Sequence, residues 1–218
     1  MTMILDIHTH ALSPNPQAII DISSLVRDSA GDFQIPAEYS AEQLFSVGIH
    51  PWWLTDDLPD GLMEKVEATA SLPQVALIGE AGIDIPKGGP LFRQMTVFKR
   101  MIELSEKVGK PLLIHDVKAH EIIIQIHKEL QPKQPWIIHG FRSKPTVADM
   151  MLREGFHLSF GELFNPVTVH NVPSDRILAE TDESTLPISE IIHFLSDARG
   201  IDLTHIIQEN TTQLITCG

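Results

Sequence analysis

Five short apolar runs in this chain end in a histidine or a carboxylate, and that coincidence limits the fold more than any other feature. They read Met-Ile-Leu-Asp-Ile-His8, Val-Ala-Leu-Ile-Gly-Glu80, Pro-Leu-Leu-Ile-His115, Trp-Ile-Ile-His139 and Arg-Ile-Leu-Ala-Glu-Thr-Asp182, with His10 just past the first. Buried strands that repeatedly end this way build a core and a polar site with the same elements. Reading for β-branched runs between turn signals gives eight expected strands, roughly 3–8, 18–23, 44–50, 75–80, 111–115, 136–139, 156–160 and 177–181. Most are continuous apolar runs, which suits strands covered on both faces.

Helical patterns fill several of the gaps. The clearest runs from Leu91 to Val108, with Leu91, Met95, Phe98 and Ile102 on one face and Gly109 placed to stop it. Others are expected over 61–70, 119–130, 145–154, 189–198 and 203–215, while Pro14 and Pro16 leave no room for a helix after the first strand. Alternating strands and helices argue for a parallel sheet. Eight of them in 218 residues predict a small (β/α)8 TIM barrel. No repeat, linker or low-complexity stretch interrupts the chain, so a single domain over residues 1–218 is expected.

His8 and His10 lie two apart, so on a strand they point to one side. Alone, the pair could equally be two loop histidines. His115 and His139 taken singly are more often satisfied core histidines, but their equivalent places in successive βα units point to a shared site. Glu80, after Leu77-Ile-Gly, needs a partner if buried, either a basic residue such as Lys87 or a metal. Asp84 reads as a loop cap or a residue behind the ligands. Glu180 is placed either to orient a ligand imidazole or to serve a plain structural role. Four imidazoles and two carboxylates exceed one tetrahedral zinc. They suit two divalent ions sharing a carboxylate, which activate water and stabilise attacking and leaving oxygens.

Charge narrows the substrate. With 29 acidic and 16 basic residues the net charge is −13, and no Lys/Arg-rich run offsets it. Such a surface repels long nucleic acid. Two divalent ions among four neutral histidines and two carboxylates would leave about +2 locally, enough to attract a short or single-stranded end. No run reaches a membrane-spanning length, and Met-Thr-Met-Ile-Leu-Asp lacks the basic and apolar regions of a signal peptide. The one cysteine, Cys217, has no intramolecular partner, so a cytoplasmic location is expected. No obligate protein partner is implied, and a monomer is compatible with the sequence.

The order of these residues resembles the TatD family of metal-dependent hydrolases, within the amidohydrolase-like barrels. The resemblance is carried by Asp6-Ile-His8-Thr-His10, Gly48-Ile-His50-Pro51, Gly79-Glu80-Ala-Gly-Ile-Asp84, and the helix pair Gln94 and Phe98. It continues through Pro111 to His115, His139-Gly-Phe141 and Glu180-Thr-Asp182. It implies a two-metal site in which His8, His10 and Asp182 hold one ion, His115 and His139 the other, and Glu80 bridges. Mg2+, Mn2+ or Zn2+ are the candidate ions. It further implies that Asp182 orients the attacking water, that His50 lies at the mouth beside the substrate, and that the reaction is DNase-type phosphodiester hydrolysis.

Four departures bear on the substrate. The family's His-Ser-Arg reads His115-Asp116-Val117, and its His-Pro-His reads His50-Pro51-Trp52. The stretch after Asp84 is Ile85-Pro-Lys-Gly-Gly, and the loop after Asp182 is short. Arg142 and Lys144 are the local substitutes for a phosphate contact. Trp52 and Trp53 either stack a base or pack against the neighbouring loop. DNA ends or a small phosphoester are the expected substrates. A related barrel acting on another ester or an amide, and a metal-retaining barrel without activity, are the competing readings. A histidinol-phosphatase-like site would need a late Asp-x-His pair, and a lysine-bridged amidohydrolase would need Lys in place of Glu80.

Overall fold

The computed structural model describes residues 3–216. Cys217, read above for its lack of a disulfide partner, lies outside the described residues. Eight strands follow one another around a parallel sheet in sequence order. They are β1 (Asp6–Thr9), β2 (Ala18–Asp21), β3 (Leu44–Val47), β4 (Val75–Asp84), β5 (Leu112–Val117), β6 (Trp136–Ile138), β7 (His157–Phe160) and β8 (Ile177–Ala179). A parallel bridge between Thr9 and Asp182 closes the ring. There Asp182 N donates to the His8 carbonyl at 3.0 Å and His10 N to the Asp182 carbonyl at 3.1 Å. The expected TIM barrel is the fold.

Helices α1 (Ser23–Asp28), α2 (Leu62–Ala70), α3 (Leu91–Val108), α4 (His120–Leu130), α5 (Pro145–Arg153), α6 (Pro166–Asn171), α7 (Ile188–Arg199) and α8 (Thr204–Thr216) surround it. Residues 10–17 join β1 to β2 without a helix, as Pro14 and Pro16 require. Helix α3 ends at Gly109, whose φ of +69° suits a residue without a side chain. The six-residue α1 and α6 were not anticipated, being too short to show a helical period. Local chemistry still starts α6: Asn165 caps the Val167 and Thr168 amides and Pro166 opens the first turn.

The apolar interior divides into two. A large cluster lies between sheet and helices, and a smaller one fills the barrel with Ile7, Ile19, Leu77, Leu113, Ile137 and Leu178, closed below by Ile4 and Leu214. That inner layer sets which later side chains can reach the barrel's C-terminal mouth. Two residues on from Leu113 stands His115, and two on from Ile137 stands His139, so strict alternation carries both into the mouth. Leu178 leads in the same way to Glu180 and Asp182. His8 and Glu80 have the opposite parity to Ile7 and Leu77. The register slips between Asp6 and Thr9 and again between Ile78 and Ala81. Such irregularities re-aim side chains, and here they turn His8 and Glu80 inward.

Candidate metal centre

Glu80 sits at the middle of the mouth, 3% exposed, with its two carboxylate oxygens facing different partners. Oε2 lies 3.4 Å from His8 Nε2 and 3.4 Å from His10 Nε2. Oε1 lies 2.6 Å from His139 Nε2, 3.2 Å from His50 Nε2, and in close contact with His115 Nδ1. Asp182 completes the first side, its Oδ1 3.7 Å from His8 and 3.5 Å from His10. All six residues expected to ligate metal therefore converge. His8 and His10 gather at Glu80 Oε2, and His50, His115 and His139 at Oε1.

Two of the imidazoles have their outward nitrogens held by carboxylates. Asp84 Oδ2 accepts from His115 Nε2 at 3.1 Å, which leaves the Nδ1 lone pair directed at the centre. Glu180 Oε1 accepts from His139 Nδ1 at 3.2 Å and from Gly140 N at 2.7 Å. Carboxylate–imidazole pairs of this kind fix the tautomer and ring orientation of metal-binding histidines. The His50 Nδ1 accepts from Trp52 N at 3.2 Å, so its Nε2 carries the hydrogen and donates to Glu80. His50 thus steadies the carboxylate.

The surroundings hold these groups firmly. Gln94 on α3 clamps the backbone of Asp84, accepting from its amide at 2.8 Å and donating to its carbonyl at 3.1 Å. Gly82, at φ +153°, lets β4 pass against β5 where a side chain would strike the His115 backbone. Asp6 accepts from the Thr181 amide at 3.0 Å and the Thr181 hydroxyl at 2.7 Å, pinning β1 to the segment carrying Asp182. Burial pushes the Asp6 carboxyl up to about 6 despite those donors.

The donor set fits divalent metal. Both ring nitrogens of His8 are fully buried, and neither has a hydrogen-bond partner among the described residues. Buried polar atoms are rarely left so; a cation beside Nε2 would satisfy the inner one. Electrostatics agree. Burial alone would lower His10, yet Glu80, Asp21 and Asp182 raise it to about 9. His139 likewise rises well above its ordinary value against the effect of burial, because Glu80 and Glu180 face it. Burial would raise Glu80, but His139, His10 and His115 hold it well below the usual carboxylate range. The pocket is built to hold positive charge.

Other expected residues are placed as follows. His50, Trp52 and Arg142 line a cavity of about 630 Å3 above the centre, whereas Trp53 and Lys144 do not. The Trp52 indole donates to Asp84 Oδ2 at 2.6 Å and carries the Lys87 ammonium 4.6 Å from its ring centroid. Lys87 is therefore not the partner of Glu80. Trp53 is covered by the Arg27 guanidinium at 4.5 Å. Asp84 plays both expected parts, capping the Lys87 amide at 2.8 Å and holding His115 from behind.

Sequence reasoning missed Asp21. Its Oδ2 accepts from the Glu80 amide at 3.2 Å and from the Ser23 hydroxyl at 3.0 Å, while the Ser23 oxygen takes the Gly48 amide at 2.9 Å. This buried carboxylate fastens the Glu80 backbone to β2 and β3. The signal was present, since Ala18-Ile-Ile-Asp21 is one more apolar run that ends in an acid.

Comparison with known proteins finds a family match. The TatD related DNase profile matches residues 7–200. An uncharacterized metal-dependent hydrolase of Buchnera aphidicola subsp. Baizongia pistaciae is 34% identical over 152 residues, covering 66% of this chain and 57% of that protein. The uncharacterized metal-dependent hydrolase YabD of Bacillus subtilis is 33% identical over 149 residues, covering 63% and 57%. The chain thus spans a little under three fifths of the length of these relatives. The crystal structure of YJJV, a TatD homolog from Escherichia coli K12, superposes with a TM-score of 0.78 at 18% identity, covering 98% of each chain.

Proposed function

The chain belongs to the TatD related DNase family, and on that premise we propose that it hydrolyses phosphodiester bonds at DNA or nucleotide ends with the help of two divalent ions. The observation that carries this reading is the pose of Glu80, whose Oε2 faces His8 and His10 while Oε1 faces His115 and His139. A carboxylate so divided is shaped to bridge.

In this reading His8, His10 and Asp182 hold one ion and His115 and His139 the other, with Mg2+, Mn2+ or Zn2+ as candidates. Bound there, the ions would lower the pKa of water and offset charge on the attacking and leaving oxygens. The protein's own groups do the rest. Asp84 and Glu180 keep the His115 and His139 lone pairs aimed inward. His50 donates to Glu80 and holds it in one rotamer. Asp182, with its side chain 37% exposed to the cavity, orients the attacking water and takes its proton. Arg142 offers a guanidinium to a substrate phosphate. Among the described residues no helix is long and apolar enough to cross a membrane; we place the protein, as a monomer, in the cytoplasm.

Glu80→Gln and Asp182→Asn test the reading. Each is expected to cut Mn2+-dependent cleavage of a single-stranded oligonucleotide and of bis(p-nitrophenyl) phosphate by at least about a hundredfold, with circular dichroism unchanged. Undiminished turnover in either variant contradicts it. Cleavage of carboxylic esters or amides alone would select another metallohydrolase, and bound metal without any turnover a barrel that has lost its activity.

A further inference from the structure

The cavity above the metal centre is polarised by the order of the loops around the barrel. Lys87 follows β4, Lys118 follows β5 and Arg142 follows β6, and all three line the cavity. Glu162 follows β7 and Glu183 follows β8, and they line it as well. Strand order around the ring is sequence order. The three cations therefore occupy one continuous arc of the mouth, and the acids occupy the next.

The two carboxylates that line the same arc, Asp84 and Asp116, are bound by donors other than these cations. Asp84 is engaged by the Trp52 indole, the Lys87 amide and His115. Asp116 accepts from the Ala119 amide at 3.0 Å. Lys87, Lys118 and Arg142 make no ion pair among the described residues. Lys87 rests on the Trp52 ring, which holds the ammonium in place without cancelling its charge.

Lys118 is also held in an unusual backbone conformation. Among the described residues, three other than glycine have positive φ: Gln131 at +48°, Asp182 at +53° and Lys118 at +59°. Gln131 ends α4, where such a conformation is ordinary. Asp182 belongs to the metal centre. Lys118 ends no helix; it is fixed by the Asp116–Ala119 turn and by the Ile85 amide donating to the Val117 carbonyl at 3.1 Å. Strained residues over-determined by their neighbours mark working positions. Lys118, three places after His115, supplies a cation on the loop that follows β5.

We propose that this cationic arc binds a second phosphate of the substrate, one ester unit from the phosphate at the metals, and that the acidic arc stops a longer chain from crossing the mouth. The inference rests on the phosphodiesterase reading and narrows it. An internal diester carries one charge, whereas a terminal phosphate monoester carries about two at neutral pH, which three unpaired cations match better. The cavity volume of about 630 Å3 is of small-ligand size. The preferred substrate class is thus a short phosphodiester that ends in a phosphate monoester.

Dithymidine monophosphate, alone and bearing a 5′ or 3′ phosphate, tests this with Mn2+ present. One phosphorylated form is expected to show at least a tenfold higher kcat/KM, carried by KM. Lys118→Gly keeps the backbone conformation available and should bring the ratio near one, while Lys118→Arg should restore most of it. Glu162→Gln with Glu183→Gln should raise the rate on a twenty-nucleotide strand relative to the dinucleotide. Equal KM for the three dinucleotides, or a preference untouched in Lys118→Gly, overturns the inference alone. Failure to hydrolyse bis(p-nitrophenyl) phosphate, which has no second phosphate, overturns the phosphodiesterase reading and this inference with it.

Discussion

At the scale of single residues, the site depends on where lone pairs point. His115 offers Nδ1 to the centre because Asp84 occupies its Nε2, and Asp84 is itself tied to Trp52 at 2.6 Å. Asp84→Asn keeps the shape but weakens the acceptor that fixes the imidazole's tautomer. The concentration of Mn2+ giving half-maximal activity should rise about 10- to 100-fold in that variant. An unchanged metal requirement would leave Asp84 with only its loop-capping role. Some of this was legible beforehand and some was not. His115 and His139 could be read from alternation, since each lies two residues past an inward apolar side chain. His8 and Glu80 were legible as strand-end residues, but not the register slips that turn them to the centre, which no local pattern announces.

At the scale of elements, each strand serves the site at its C-terminal end and stability at its start. His157, at the start of β7, illustrates the second role. Its Nε2 faces Arg176 at 3.4 Å and its Nδ1 is buried without a hydrogen-bond partner among the described residues. Burial first, and the Arg176 charge second, lower its pKa from 6.5 to about 4. The unfolded chain then binds more protons than the folded one between those values. Its neutral form therefore stabilises the fold above about pH 6.5, and that contribution is lost as pH falls toward 4. Thermal melts of His157→Gln should lose less stability between pH 7 and pH 4.5 than the parent, by about 2 kcal/mol. Parallel curves would show that His157 does not titrate in this way. The longer helices were legible from their period, and α3 matches its expected bounds from Leu91 to Val108. Strand β4 was legible from Val75 to Glu80 but not onward to Asp84, because Gly79 and Gly82 interrupt its apolar pattern although it pairs with β5 as far as Asp84.

For the whole molecule, closure of the ring and assembly of the centre are one event. The bridge from Thr9 to Asp182 that seals the barrel also brings His8 and His10 to Asp182. A chain with net charge −13 sets three unpaired cations, Lys87, Lys118 and Arg142, beside the histidines of the centre at one end of that barrel. The sequence carried the barrel and the six converging residues because strand ends and chemistry coincide. It did not carry the polarity of the mouth, which depends on loop conformations such as that of Lys118 at φ +59°. The central claim is that Glu80 bridges two ions. Elemental analysis of protein loaded with Mn2+ and then desalted tests it most directly. Two ions per parent chain are expected, falling to one or none in Glu80→Gln. A single ion in the parent protein, or two retained in Glu80→Gln, would contradict the account.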